Sequence, residues 1–372
     1  MRIAIQAADL DADRIDGTRV YIVNLLKYFG NISPDDEFFI YHKKNFNSEL
    51  VPSEFPNYTI KKVQFHFFWT QTRFAWEIWK DKPDVVWMPM QDIPFFRRKE
   101  IKVVATIHDL AFKYFPQYFP RKDLLKLNFL LDQTVRRADK LIAVSESTKK
   151  DLLKFYPQIN EEKIRVIYHG FDGKIFKKEI SEEKTKMVLK INQLQFRNYI
   201  LFVGAIQPRK NLEILIEAFE LVKKNYPELK LAIAGEKAWM WENTLERISK
   251  SPFGNDIITI GKISFEDLAV LYQRAAVFVF PELYAGFGLP LLEAMASNVP
   301  VIAARNSCLL EIGLDAALYF DSGNPEDLAE KINSILDDEE LRKKLVEKGR
   351  KRIENFSWEK CARETLDYLK SF

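Results

Sequence analysis

Short apolar runs alternate along this chain with longer stretches in which apolar residues recur at helical spacing. The runs at Arg2–Ile5, Phe38–Tyr41, Asp84–Trp87, Val103–Ile107, Leu141–Ser147 and Ile164–Asp172 are apolar on both faces, as buried parallel strands are. A second series follows at Tyr199–Val203, Leu229–Ala234, Ile257–Ile260, Val277–Phe280 and Pro300–Ala303. Helical periodicity fills the gaps, at Val20–Phe29, Pro120–Arg137, the stretch from Leu212 to Lys224, and Ser357–Leu369. Strand and helix in alternation predict an α/β chain with two Rossmann-like halves built on the same βαβ logic, without a tandem repeat.

A chain of 372 residues with 47% hydrophobic content is long enough for two cores. The expected division is a first domain over 1–172, a charged linker with a surface helix over 173–197, a second domain over 198–355, and a terminal helix within 356–372. The 56 basic and 53 acidic residues leave a net charge of +3, which argues against a nucleic-acid partner. Cys308 and Cys361 have no metal-site spacing and read as small apolar residues in a reducing compartment. The first ten residues read as a strand rather than a leader, and no apolar run is long enough to span a bilayer. The expectation is a cytoplasmic protein.

The candidate chemistry concentrates in Phe278–Ala303, FVFPELYAGFGLPLLEAMASNVPVIA. It reads as strand, turn at Gly286 and Gly288, helix opened by Pro290, and strand. In open α/β sheets ligands bind at such strand-to-helix turns. Free amides at the helix start around Phe287, Gly288 and Leu289 suit a phosphate. Glu293, placed in the first turn, suits a pair of vicinal hydroxyls, or simply the helix dipole. A second turn of the same kind, Gly204 to Leu212, carries Arg209 and Lys210. His108 closes the Val103–Ile107 strand beside Asp109, whereas His42, His66 and His169 have no such context. Asp9, Asp11 and Asp13 precede Gly17 and read as a solvated acidic loop rather than a metal site. Phe65, Phe67, Phe68, Trp69, Phe74, Trp76 and Trp79 form an aromatic stretch for which core packing is the default and sugar stacking the alternative. The edges Trp69–Gln71 and Met88–Asp92 read as loops. The helix 121–137 is basic and amphipathic, so it either faces the core or lies on an anionic membrane.

GFGLPLLEAMA followed by PVIA resembles the donor-site signature of the retaining family-4 glycosyltransferases, which have the GT-B fold. The runs at 141–147 and 164–172, PRKNL at 208–212, His108-Asp109, Glu311 and Leu318–Asp321 are similar to the same family. The resemblance implies two Rossmann-like domains facing across a cleft, with the C-terminal helix crossing back to the first. It implies transfer of a sugar from a nucleotide-sugar with retention and no metal or other cofactor. The phosphates fall to Arg209, Lys210, Gly17 and the amides of Phe287, Gly288 and Leu289, the ribose to Glu293, the base to Lys262 and Ile263, and the sugar to His108. O-antigen mannosyltransferases are the most similar subgroup, which makes GDP-mannose the expected donor. A glycan or lipid-linked glycan is the expected acceptor, with peripheral contact at the inner membrane face. The family's signature begins with a glutamate at the position of Ala285. Loss of that carboxylate from an otherwise matching site implies an impaired, Glu-to-Ala form. A catalytically silent sugar-nucleotide binder and a nucleotide-sugar epimerase of similar architecture remain as alternatives.

Overall fold

The computed structural model describes residues 1–65 and 67–372. The chain divides into two compact units, one of Met1–Pro116, Pro120–Gly170 and Phe356–Phe372, the other of Gln117–Phe119 and Phe171–Asn355.

The first unit is built on a seven-stranded sheet. In chain order its strands are β1 (Arg2–Gln6), β2 (Glu37–His42), β3 (Tyr58–Lys62), β4 (Val85–Met88), β5 (Lys102–Ile107), β6 (Lys140–Ala143) and β7 (Ile164–Val166). Their spatial order is β3-β2-β1-β4-β5-β6-β7, every pairing parallel. The central strands are buried on both faces, which is why they read as continuous apolar runs. The expected strand over 164–172 is shorter: after Val166 the chain turns inward and buries His169 against Tyr21 (ring centroids 4.5 Å apart) and Trp358 (5.5 Å). Gly170 permits this, because a Cβ there would meet the Trp358 backbone nitrogen at 2.0 Å. The terminal helix Trp358–Lys370 packs on the helix Gly17–Ile32. Tyr368 Oη donates to Lys163 O (2.8 Å), and Lys370 pairs with Asp36.

The second unit carries a six-stranded parallel sheet. Its strands are β8 (Tyr199–Val203), β9 (Lys230–Ala234), β10 (Ile257–Gly261), β11 (Val277–Phe280), β12 (Val301–Ala304) and β13 (Leu318–Phe320), in the order β10-β9-β8-β11-β12-β13. Both sheets reverse direction of growth once, between β1 and β4 and between β8 and β11, which makes each unit Rossmann-like.

The stretch 173–197, read from its charge as a linker, folds into the second unit instead. Its helices Gly173–Phe176 and Glu182–Ile191 pack on the helix Phe265–Arg274. Lys184 Nζ reaches Glu266 (2.8 Å) and Asp267 (3.2 Å), and Gln273 Nε2 donates to Lys178 O at 2.8 Å. The charges there are cross-links between elements, and Val188, Leu189 and Leu194 supply the buried face. Both cysteines are buried. No helix among the described residues is long and apolar enough to cross a membrane.

Candidate functional site

In the second unit, two loops leave the carboxyl ends of β8 and β11, the adjacent strands at the reversal. The first is a tight turn, Pro208–Lys210, closed by Asn211 in the left-handed conformation (φ 55°) before the helix Leu212–Lys223. Asn211 Nδ2 is held by Ser322 O at 2.9 Å. The second loop runs from Pro281 to Gly288 and opens the helix Leu289–Ala296. Gly288 has φ +90°, which favours glycine, and a Cβ there would press on the Leu309 side chain at 3.1 Å.

The loops are stitched together. Leu283 N–H donates to Arg209 O (3.1 Å), and Arg209 Nη1 donates to Tyr284 O (2.6 Å) and to Glu282 Oε2 (3.1 Å). Lys210 Nζ pairs with the other oxygen of Glu282. The Glu282 side chain is 2% exposed, while those of Arg209 and Lys210 are each 14% exposed. Sequence reasoning brought Arg209 and Lys210 to this turn but passed over Glu282. The residue stands in full view two places after β11, but its partners Arg209 and Lys210 lie 73 and 72 positions away.

Ala285 is buried, its peptide fixed from both sides. Its N–H donates to Ser307 Oγ (3.1 Å), and Cys308 Sγ donates to its carbonyl (3.0 Å). Its side chain adds only a methyl to the loop. Phe287 and Leu289 are buried beside it.

Glu293 differs from its expected place. The helix starts at Leu289, with Pro290 second rather than first, so Glu293 is the fifth residue and lies beyond the first turn. Its carboxylate accepts a hydrogen bond from Tyr272 Oη at 3.1 Å. Burial pushes its pKa up to about 7, against the opposing effect of the Tyr272 hydrogen bond. Lys262 and Ile263 follow β10 at the far side of the sheet, Lys262 exposed and Ile263 half-buried.

In the first unit, the ends of β4 and β5 bring Pro89 and His108 together. His108 Nε2 lies 2.8 Å from Pro89 O, so Nε2 carries the proton and Nδ1 is the free acceptor nitrogen of the neutral ring. Burial lowers the His108 pKa despite that bond and the nearby Asp109, so the ring is neutral at pH 7. Its ring meets Tyr21 edge-on at 5.1 Å. Gly17, expected in a turn, is the exposed first residue of the helix Gly17–Ile32, whose cap is the Asp16 side chain bonded to Arg19 N.

The acidic loop before it is not solvated throughout. The Asp11 side chain is only 5% exposed and is bonded to His42 Nδ1 (3.0 Å) and to the amides of Lys43 and Lys44 (2.8 and 2.7 Å). His42 therefore has a carboxylate context the sequence did not reveal, while His66 lies outside the described residues.

The aromatic stretch splits. Trp69 and Phe74 are buried, and Trp69, expected on a loop edge, donates from Nε1 to Val63 O (2.7 Å) where a wide helical turn, Thr70–Phe74, begins. Trp76 (61% exposed) and Trp79 (43%) face outward from the helix Ala75–Asp81, contrary to the core default. Arg98 sits over the Trp79 ring at 4.8 Å, Phe95 packs edge-on against Phe129 at 5.9 Å, and Arg137 covers Phe95 at 5.1 Å. Gln71, in the turn that leads into the helix Ala75–Asp81, accepts from Phe95 N (2.9 Å) and donates to Ile93 O (2.8 Å). The helices Ala75–Asp81 and Arg121–Arg137 thus join through residues 93–98 into one surface. Phe96, Leu125 and Phe129 are exposed on it. Only Leu131, Thr134 and Val135 of the longer helix are buried, so its first half faces solvent rather than the core.

Comparison with known proteins accounts for nearly the whole chain. Residues 16–174 match the model described as Glycosyltransferase Family 4, and residues 174–352 match that of Glycosyl transferases group 1. O-antigen chain mannosyltransferase B of Escherichia coli is 28% identical over 273 residues, 72% of this chain and 70% of that protein. O-antigen chain mannosyltransferase RfbU of Salmonella typhimurium is 30% identical over 235 residues, 63% of this chain and 59% of its own length. Anabaena HepE in complex with UDP-glucose shares the fold with a TM-score of 0.78 at 15% identity, all of both chains being covered. Sucrose-phosphate synthase from Thermosynechococcus elongatus shares it with a TM-score of 0.77 at 20% identity, covering 99% of this chain and 98% of that one.

Proposed function

We propose that this chain, which belongs to glycosyltransferase family 4, transfers mannose from GDP-mannose, with retention and without a metal ion, onto a glycan or lipid-linked glycan in surface polysaccharide synthesis. The supporting observation is the pairing of two strand-to-helix turns at the β8/β11 reversal, one bearing Arg209 and Lys210, the other the Gly288 helix start. Amides and cations converging at such a point suit a diphosphate. When the bond between the sugar and the diphosphate breaks, negative charge grows on the leaving oxygen. Lys210, Arg209 and the amides of Phe287 to Leu289 stabilise it. Glu293 takes the ribose hydroxyls, Lys262 and Ile263 the base. His108, whose Nδ1 is an acceptor, serves the sugar, and Gly17 a phosphate. Mannose rests on the names of the O-antigen relatives, and GDP on the resemblance to that subgroup.

Ala285 supplies no carboxylate to the sugar, so transfer by this chain is slow on this reading. Incubation with labelled GDP-mannose and a panel of UDP-sugars, followed by product analysis, tests the proposal. A glycosylated acceptor supports it. An epimerised nucleotide-sugar, or binding without any turnover even after Ala285→Glu, sinks it in favour of an epimerase or a silent binder.

The acceptor reading extends to place. The exposed Trp76, Trp79, Phe96, Leu125 and Phe129 lie on elements that also carry cations, with Arg98 over the Trp79 ring and Arg121, Lys122 and Lys126 exposed on the helix of Leu125 and Phe129. Rings at headgroup depth with cations beside them suit an anionic bilayer surface, where a lipid-linked acceptor is held. The protein is then cytoplasmic and peripheral at the inner membrane face.

A further inference from the structure

Two cations that are to receive a diphosphate already hold a carboxylate. Glu282 spans Arg209 and Lys210 with one oxygen each, and its side chain is almost wholly buried. Its backbone is fixed as well: Asn306 Nδ2 donates to Glu282 O at 2.8 Å, and the next residue's amide bonds Arg209 O at 3.1 Å. A buried carboxylate of this kind needs its cations, because removing them would leave an uncompensated charge away from water. The cations, slightly more exposed than the carboxylate, face outward from it.

The charge arithmetic decides what this cluster does. Arg209 and Lys210 contribute two positive charges, Glu282 one negative, so the turn offers a net single positive charge to an incoming ligand. A nucleoside diphosphate brings at least two negative charges. It therefore meets cations already half neutralised, with a like charge fixed behind them. That arrangement weakens the hold on a diphosphate relative to an uncompensated Arg-Lys pair. It also keeps both side chains extended along the loop, since Arg209 is anchored at Tyr284 O and Glu282 Oε2 together.

From this geometry we infer that Glu282 is a positioning residue and resident counter-ion of the diphosphate turn. It holds Arg209 and Lys210 in place and sets how tightly the diphosphate, substrate-borne or released as product, is bound. The inference rests on the assignment of this turn to a diphosphate. It assigns Glu282 no contact with the sugar and does not make it a replacement for the carboxylate absent at Ala285. Its action is electrostatic, through the two cations.

The test is calorimetric titration of the full chain with GDP, UDP and the corresponding monophosphates, at fixed ionic strength. Variants are Glu282→Gln, which keeps the shape and removes the charge, and Glu282→Ser, which avoids pressing an amide against the cations. Lys210→Ala is the control for the site itself. Loss of the negative charge should tighten diphosphate binding about tenfold, or ~1.4 kcal/mol. It should steepen the salt dependence of that binding, and alter monophosphate binding much less. A residue that merely buttressed the loop would give the opposite sign, weaker binding. If Lys210→Ala weakens diphosphate binding while both Glu282 variants, folded by circular dichroism, bind no more tightly than the parent, the counter-ion role is wrong and the diphosphate site stands. If the parent binds neither diphosphate, the site assignment falls and the counter-ion role with it. Should Glu282→Gln not fold, the same comparison is made with Glu282→Ser. Tighter binding by either folded variant upholds the role.

Discussion

Replacing Glu293 with glutamine should flatten the pH dependence of the second unit's stability between pH 5 and pH 8. The carboxylate lies against Tyr272 Oη, and burial lifts its pKa from 4.5 to about 7. A group whose pKa is raised on folding binds its proton more tightly in the folded state. Its stabilisation is complete below the unfolded value and is lost as pH rises through the folded one. The window is therefore pH 4.5 to 7. Two and a half units at 1.36 kcal/mol per unit amount to about 3.4 kcal/mol in total, of which about 2.5 kcal/mol is lost between pH 5 and pH 8. For a unit of this size, that corresponds to a fall in melting temperature of roughly 5–10 °C.

The measurement is helped by the placement of the histidines. All four lie before Phe171, so none titrates inside the second unit over this range. Differential scanning calorimetry of the parent and Glu293→Gln at half-unit steps, following the transition assigned to residues 171–355 by hydrogen exchange, isolates the difference. The parent should lose stability with rising pH relative to the variant, the two curves separating progressively across the window. Tyr272→Phe removes the one hydrogen bond that favours the charged form, and should move the window upward. Parallel curves for the parent and Glu293→Gln from pH 5 to pH 8 would refute the argument. Glu293 would then be ionised throughout, and its burial would cost less than the geometry implies.

Lys210→Ala should weaken diphosphate binding about ten- to a hundredfold, the loss of one charge-assisted contact of roughly 1.5–3 kcal/mol, measured by titration with the fold checked by circular dichroism. Ala285→Glu should raise turnover about a hundredfold, roughly 3 kcal/mol of barrier, with a much smaller change in donor affinity. No gain with any donor and acceptor that supports measurable transfer would mean that the chain works without that carboxylate. The chain should sediment with vesicles containing anionic phospholipid more than with neutral ones, and the double variant Trp76→Ala/Phe96→Ala should lose most of that difference. Equal recovery in both supernatants would leave a soluble acceptor as the better idea.

What the sequence reveals and what it hides follow from the range over which each signal acts. Strands buried on both faces declare themselves as apolar runs, and eleven of the thirteen strands among the described residues are legible from the apolar runs along the chain. β3 does not, because it is an edge strand with Thr59, Ile60 and Lys62 exposed, so its composition is that of a surface loop. The outward position of Trp76 and Trp79 is equally local in origin but ambiguous in sign. At helical spacing either face could be the buried one, and here Phe74 and Ile78 take the core while the two indoles are left outside. Glu293 lies one helical position later than expected because Gly288, in a left-handed conformation, ends the loop one residue earlier than Pro290 suggests.

Glu282 belongs to a different class. Nothing within ten residues of it announces a partner, and a glutamate in a loop ordinarily means solvent. Its role appears only when the strand order places β11 beside β8, which brings residues 209 and 282 into contact although seventy-three positions separate them. The candidate donor turn was thus legible as two separate motifs, each with its own glycine or proline punctuation. The charge that couples them was not, because it is a property of topology. This distinction also orders the experiments. The motif residues Lys210 and Ala285 test whether the site is what the sequence resembles, while Glu282 tests whether this fold has tuned that site. A change in diphosphate affinity on removing a buried negative charge, in the direction of tighter binding, can come only from the second.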